Sequence, residues 1–106
     1  MICRLWRGWT TPHNADAYET YLRNELYPRL ERELAARGYR GHHLLRRNVE
    51  GEVEFASLTW FDFLESVRAF AGDDYETAVI SATAAQLLAH YEPNATHFDL
   101  QSHAAH

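Results

Sequence analysis

Histidine and arginine are the side chains of this sequence best suited to chemistry at neutral pH. Seven histidines are present, and all ten cationic residues are arginines. Imidazole titrates near neutral pH and can act as a general base. His97 lies within an alternating segment beside Phe98, and we assign it as the candidate base facing a pocket. A structural hydrogen bond is the alternative role for this histidine.

Two further histidines, His42 and His43, are adjacent in the sequence. Neighbouring residues on a strand point to opposite faces of the sheet, so these two cannot bind one metal ion together. We assign His43 to the pocket, with a half-exposed strand histidine as the alternative. The single cysteine, Cys3, and the lack of any His or Cys cluster with metal-ligand spacing predict no metal site.

Aromatic residues make up 13% of the chain, which predicts a ring-lined cavity or interface. Trp6, Trp60, Phe61 and Tyr75 are the candidate substrate-binding rings. On strands, aromatic side chains more often lie in the core or in an interface, and that is the alternative for this set.

Two arginines, Arg4 and Arg7, flank Trp6 near the N-terminus. An arginine beside aromatic rings could hold an anionic oxygen, and we assign Arg7 to catalysis on this ground. The alternative is an ion pair across neighbouring strands with Glu52 or Glu54.

Length and charge limit the class of protein. The 106 residues suffice for one domain, which we place at residues 1–100, with residues 101–106 expected to be a frayed tail. A net charge of −5 with dispersed arginines argues against nucleic-acid binding. The chain has no apolar run near the roughly 18 residues of a membrane span and no signal-peptide pattern. We therefore expect a cytoplasmic protein that does not bind membranes.

The elements that must position these residues follow from local patterns. Alternation predicts strands, and apolar residues at helical spacing predict helices. Pro28 should kink or briefly break the first, long helix. The predicted strands are 2–9, 39–47, 52–61 and 94–100; the predicted helices are 12–37, 64–71, a short one from Asp73 and one over 81–89.

This order, βαββαβ, predicts an α+β domain with a ferredoxin-like antiparallel sheet. Right-handed crossovers place the helices on one face, and we expect the last strand to lie beside the second. The other face keeps large apolar groups such as Leu58 and Trp60. Because monomers rarely expose so large an apolar face, we predict a sheet-to-sheet homodimer.

The stretches WRGWTTPHNADAYETYL, GYRGHHLLRR, EVEFASLTWFD and SVRAFAGDDYETAV resemble the antibiotic biosynthesis monooxygenase (ABM) family, from Ile2 to about Leu100. The resemblance implies a dimeric α+β barrel, with a pocket between the helices and the sheet of each subunit. Members of that family include cofactor-independent oxygenases of aromatic polyketides and haem-degrading oxygenases.

Within this resemblance, the haem-degrading branch uses an Asn on strand one, a Trp at the end of strand three and a His on the next helix. Those positions fall on Trp6 or Arg7, Phe61 and Ile80. Isoleucine cannot ligate iron, so we expect no haem degradation. The resemblance to the cofactor-independent members implies no bound cofactor. The quinone-forming branch uses an Asn, a Trp and a Tyr. Trp60 and Tyr75 could supply the rings, but no Asn lies on strand three.

We therefore expect a cofactor-independent monooxygenase that acts on a small aromatic or polyketide-like metabolite. Such chemistry needs a base, a donor that holds the substrate anion, and dry aromatic walls. A cyclase or isomerase that uses acid–base catalysis in the same pocket is one alternative. A non-catalytic protein that binds a small ligand is the other.

Overall fold

The computed structural model describes residues 1–105, which form one antiparallel sheet and a layer of helices. A π-helical turn, Leu22–Leu26, joins the first two helical segments into one continuous stretch, and a 3₁₀ turn, Ala35–Arg37, follows it. In chain order the elements are β1 (Ile2–Thr10), α1 (Pro12–Tyr21), α2 (Tyr27–Leu34), β2 (Tyr39–Val49), β3 (Glu52–Phe61), α3 (Leu64–Ala71), α4 (Ala82–Leu87), β4 (His90–Tyr91) and β5 (Thr96–Asp99).

The long helical stretch begins and ends as its sequence predicts. The Thr11 side chain accepts a hydrogen bond from the N–H of Asn14, and Pro12 takes the first helical position. Pro28 has no N–H to donate, and the predicted break takes the form of the π-helical turn directly before α2. Gly38 ends the stretch with φ 105°, a left-handed conformation that glycine adopts without strain.

A tight hairpin joins β2 and β3. Glu50 and Gly51 both have positive φ, 51° and 84°, as a two-residue turn between antiparallel strands requires. At the other end of β2 the register shifts between Tyr39 and His42, where Gly41 has φ 112°. This irregularity sets which face each later residue of β2 occupies, so it decides the orientation of the two adjacent histidines.

The strand order is β2-β3-β1, and both C-terminal strands pair with the free edge of β1. β5 lies antiparallel to Ile2–Leu5 of β1, while β4 pairs with Gly8 and Trp9. The expectation that the last strand lies beside β2 is therefore wrong. Alternation indicates that a segment is a strand, but the partner of a strand depends on contacts between residues far apart in the sequence.

The segment after α3 also differs from its prediction. Residues 73–81 form turns and a single bridge, Thr77 to Asn94, instead of a short helix. The carbonyl groups of Tyr75 and Thr77 accept hydrogen bonds from the Arg4 guanidinium. Those carbonyls are thus engaged by a side chain of β1 and not by helical N–H groups.

The two faces of the sheet have different environments. On one face Phe55 and Phe61 of β3 are fully buried against the helices, together with Tyr18 of α1 and Val67 of α3. Because directly opposed residues of an antiparallel pair share a face, the register of β1 with β3 assigns every other residue to that face or to the uncovered one.

The uncovered face has an apolar part. It carries Leu5, Leu45, Leu58, Trp60 and Phe98, and Leu45 and Phe98 are 56% and 53% exposed. We call these five residues the open face of the sheet.

Residues 101–105 follow the sheet without regular secondary structure, and His106, the last residue of the predicted tail, lies outside the described residues. Within residues 1–105, no helix combines the length and the apolar character needed to cross a membrane.

Candidate functional site

A cavity of about 270 Å³ lies between the sheet and the long helical stretch. Its floor is formed by β1 and β3, which contribute Arg4, Trp6, Ser57 and Thr59. The π-helical turn and the flanking ends of α1 and α2 form its roof, and residues 79–81 with α4 close one side. Mostly aromatic and aliphatic walls with a few polar groups are typical of a small-molecule site.

The roof depends on the π-helical turn. The N–H of Tyr27 donates to the carbonyl of Leu22, five residues earlier, and both side chains line the cavity together with Leu26. π-Helical turns inside α-helices occur frequently at functional sites. Here the turn also accommodates Pro28, so one local feature permits the proline and shapes the cavity.

Two pairs of hydroxyl groups line the cavity. The Tyr27 hydroxyl lies 2.6 Å from Ser57 Oγ, and the Tyr21 hydroxyl lies 2.6 Å from Ser81 Oγ. Burial raises the pKa of Tyr27 to about 12, although the Ser57 hydrogen bond acts in the opposite direction. Tyr27 thus faces the cavity as a neutral hydroxyl that can donate or accept a hydrogen bond.

Arg4 is the charged group on the cavity floor. It is buried, at 4% exposure, with its guanidinium 5.4 Å from the centre of the Phe70 ring. Nη1 donates to the carbonyl of Tyr75 and contacts His97 Nε2 at 3.1 Å, while Nη2 donates to the carbonyl of Thr77 at 3.1 Å. Burial lowers the pKa of Arg4 to about 10, so the group stays cationic at neutral pH.

His97, the candidate base, lies beside Arg4 and not on the cavity wall. A guanidinium can only donate, so His97 Nε2 is the acceptor and the ring is neutral with its proton on Nδ1. Burial, followed by the charge of Arg4, lowers the pKa of His97, and Glu76 opposes the shift. Tyr75 packs edge-on against this ring at 5.2 Å. His97 and Tyr75 therefore surround the guanidinium from the side away from the cavity.

Two other candidate residues point to the helix-covered face. Trp6 lines the cavity, and its indole N–H donates to the carbonyl of Glu92 at 2.7 Å, which fixes the ring. Phe61 is fully buried and packs edge-on against Tyr39 at 5.7 Å. Of the two, the structure brings only Trp6 to the cavity.

The remaining candidates lie on the uncovered side of the sheet. Arg7 pairs with Glu92 at 3.0 Å and with Glu54 at 3.7 Å. The contact with Glu54 is the cross-strand pairing that was the alternative for this arginine, whereas Glu92 is a partner that the alternative did not include. The Trp60 indole N–H donates to His43 Nδ1 at 2.9 Å. The strand alternation that turns Arg4 and Trp6 toward the helices turns these three side chains away from them.

Sequence reasoning did not single out the hydroxyl pairs. Ser57 is a small polar residue in the row Val53, Phe55, Ser57, Thr59 and Phe61 on the inner face of β3. A small residue in such a row leaves space above it, and this is the signal that could have located the cavity. The matching tyrosines belong to the apolar stripe of the long helix and resemble core residues there.

The described part of the chain holds no group of three or more His, Cys, Asp or Glu side chains that could bind a metal ion. No protein-family model matches this sequence, and no curated protein matches it either. What the cavity binds must therefore be inferred from its own side chains.

Proposed function

We propose that this chain is a monooxygenase of the ABM type that oxidises a small aromatic or polyketide-like compound without a bound cofactor. The observation that carries the proposal is the cavity itself. It combines aromatic walls, two tyrosine hydroxyls and one buried cation, Arg4, in a space of about 270 Å³. A site of this kind can bind a flat ring system and stabilise a negatively charged oxygen on it.

The reaction needs no external reductant when the substrate supplies all the electrons. In an anthrone-type compound, the ring CH₂ loses a proton to a water molecule and gives an enolate, which transfers an electron to O₂. Recombination of the radical with superoxide and return of the proton give a hydroperoxide, and loss of water leaves a carbonyl. The sum is CH₂ + O₂ → C=O + H₂O, so one oxygen atom enters the product and the other leaves as water.

In this proposal the protein favours the step by stabilising the enolate. A preorganised cation in a site shielded from water stabilises developing negative charge more strongly than water does. Arg4 supplies that cation, and the Tyr27 hydroxyl can donate a hydrogen bond to the same oxygen or to a second one. His97 then acts as a positioning residue, because it contacts Arg4 and not the cavity.

The proposal includes the finer architecture that the ABM resemblance implies, a ferredoxin-like sheet in a dimeric α+β barrel. Support comes from the order β2-β3-β1 with both C-terminal strands on the edge of β1. The open face supports a second copy of the chain as the partner, since Leu45 and Phe98 are more than half exposed there.

A non-catalytic ligand-binding protein is the second candidate. One observation favours it: the ionisable groups on the described cavity wall are arginines and tyrosines, which hold an anion better than they abstract a proton. A cyclase or isomerase would use the same hydroxyls as proton donors.

Oxygen uptake with anthrone as the probe tests the proposed function. We expect one O₂ consumed for each quinone formed. Ala84→Leu, which places a larger side chain on the cavity wall, should abolish the reaction. Ala85→Leu, the same change at an exposed position of α4, is the matched control. Anthrone binding without oxygen uptake would contradict an oxygenase and leave the binding protein, and a rearranged product of unchanged mass would indicate the isomerase.

A further inference from the structure

Arg4 has an unmatched positive charge. Its hydrogen bonds within residues 1–105 go to two backbone carbonyls and one neutral imidazole, and it forms no ion pair with an Asp or Glu of that part of the chain. Other arginines of β1 and β2 do form such pairs, for example Arg7 with Glu92 and Arg46 with Asp16. Buried charges in proteins are normally paired, so this cation calls for an anion.

The guanidinium also has donors to spare. It carries five N–H groups, and the described acceptors take three of them, two on Nη1 and one on Nη2. The side chain lines the cavity, so a ligand there can reach it. Two remaining donors and a full positive charge match the two oxygens of a carboxylate.

The other charged group on the cavity wall is also positive. Arg29, an exposed residue of α2, is the second charged side chain that lines it, and the described wall includes no carboxylate. The chain as a whole carries a net charge of −5. A cavity lined by cations in an acidic protein attracts an organic anion and does so specifically at this site.

We propose that the cavity recognises an aromatic carboxylate, whose acid group pairs with Arg4 while its rings lie against Trp6 and Phe70. This proposal rests on the cavity being the substrate site of the proposed function, and it names the class of compound that the site takes. It differs from enolate stabilisation, because the charge is present on the ligand before any reaction begins. With the acid group on Arg4, the enolate oxygen of such a compound accepts its hydrogen bond from the Tyr27 hydroxyl.

Titration calorimetry at neutral pH with naphthoate and naphthamide tests the proposal. The two probes share their ring system and differ by one charge. We expect naphthoate to bind roughly 10- to 100-fold more tightly, the range that a hydrogen-bonded ion pair supplies. In Arg4→Gln the preference should disappear. Arg47→Gln removes the same charge from the opposite side of the sheet and should keep the preference.

Three results would overturn the proposal: equal affinity of the wild-type protein for both probes, a preference that persists in Arg4→Gln, or no binding of either probe at millimolar concentration. The wild-type comparison needs no variant, so equal affinity for the two probes refutes the proposal even if Arg4→Gln does not fold. Equal binding of both probes, abolished by Ala84→Leu, would refute anion recognition and leave the cavity as a binding site. Oxygen uptake with anthrone is independent of these titrations, so failure of the oxygenase and failure of this proposal are distinguishable.

Discussion

Replacing His97 distinguishes a residue that supports Arg4 from a catalytic base. His97 Nε2 accepts a hydrogen bond from Arg4 Nη1 at 3.1 Å, and Arg4 is 4% exposed. His97→Leu keeps a side chain of similar bulk but removes the acceptor. His97→Gln supplies an amide oxygen in its place. The two variants therefore differ mainly in whether the buried guanidinium keeps its third acceptor.

The size of the effect follows from the donor that is left unpaired. A hydrogen bond to a charged group contributes about 1.5–3 kcal/mol, and loss of the acceptor leaves a buried N–H without water. We expect His97→Leu to lower the free energy of unfolding by that amount. At about 4–8 °C for each kcal/mol in a domain of this size, the change in Tm is easily measured. His97→Gln should lower the stability by less than about 1 kcal/mol, because neutral amide and imidazole acceptors are comparable.

Urea unfolding followed by tryptophan fluorescence measures both variants. His43→Leu is the matched control, because His43 also accepts one hydrogen bond, from Trp60, but does so at the exposed surface. If His97→Leu unfolds at the same urea concentration as the wild-type protein, the proposed role of His97 in supporting Arg4 is refuted. If His97→Gln instead unfolds like the wild-type protein and loses turnover by about 10²–10⁴-fold, the usual contribution of a general base, His97 is catalytic after all.

Three further outcomes follow from the structure. In the unfolded chain His97 has its ordinary pKa of about 6.5, whereas burial and Arg4 lower its pKa in the folded protein. The free energy of unfolding should therefore fall as the pH drops below about 6.5, by at most about 1.4 kcal/mol per pH unit. Urea midpoints of the wild-type protein and of His97→Gln across this pH range show whether His97 is the cause. Gly38→Ala should cost about 1–3 kcal/mol, because φ is 105° and a Cβ would overlap Ser66 Oγ; an unchanged Tm would contradict this. Sedimentation at micromolar concentration should show a dimer that Leu45→Arg converts to a 12.3 kDa monomer, and a wild-type monomer would refute the open face as its interface.

Features fixed by neighbouring residues could be predicted from the sequence. The alternation over 52–61 gave the bounds of β3, since one face of that strand is buried and the other is not. The pair Glu50–Gly51 marks the hairpin, and Gly38 marks the end of the long helix, because each position needs positive φ. Each of these three structural features depends on residues that are close together in the sequence.

The partner of the last strand could not be predicted in this way. β5 has four residues, and its position beside β1 depends on contacts such as His97 opposite Arg4. The two-residue strand β4 has no alternation to detect. The segment 73–81 has a helix-capping sequence at its start, but Arg4, some 70 residues earlier, binds its carbonyls and favours the irregular conformation.

For much of the candidate site, the alternation of side chains along a strand predicts which face each residue occupies. Arg4 and Trp6 are two residues apart and share a face, whereas Arg7 must lie on the other. This alternation alone thus places Arg4, which lines the cavity, and Arg7, which was assigned to catalysis, on opposite faces of the sheet. For His42 and His43 the alternation shows that the two side chains lie on different faces. The register shift after Tyr39 decides which of the two histidines faces the helices. His42 stacks on Tyr27 at 3.6 Å, and His43 contacts Trp60 on the other side.

The surroundings of Arg4 indicate that a cation at this point serves something other than stability. Removing an ionised group from water costs several kcal/mol, and an apolar side chain of similar volume would avoid that cost. Three acceptors from β5 and the 73–81 segment take three of its five N–H groups, yet they leave its charge unmatched. The chain thus holds an irregular segment and a neutral histidine around one guanidinium that lines an aromatic cavity. An anionic ligand would supply the missing charge, so ligand binding and the packing of the C-terminal strands should stabilise each other through Arg4.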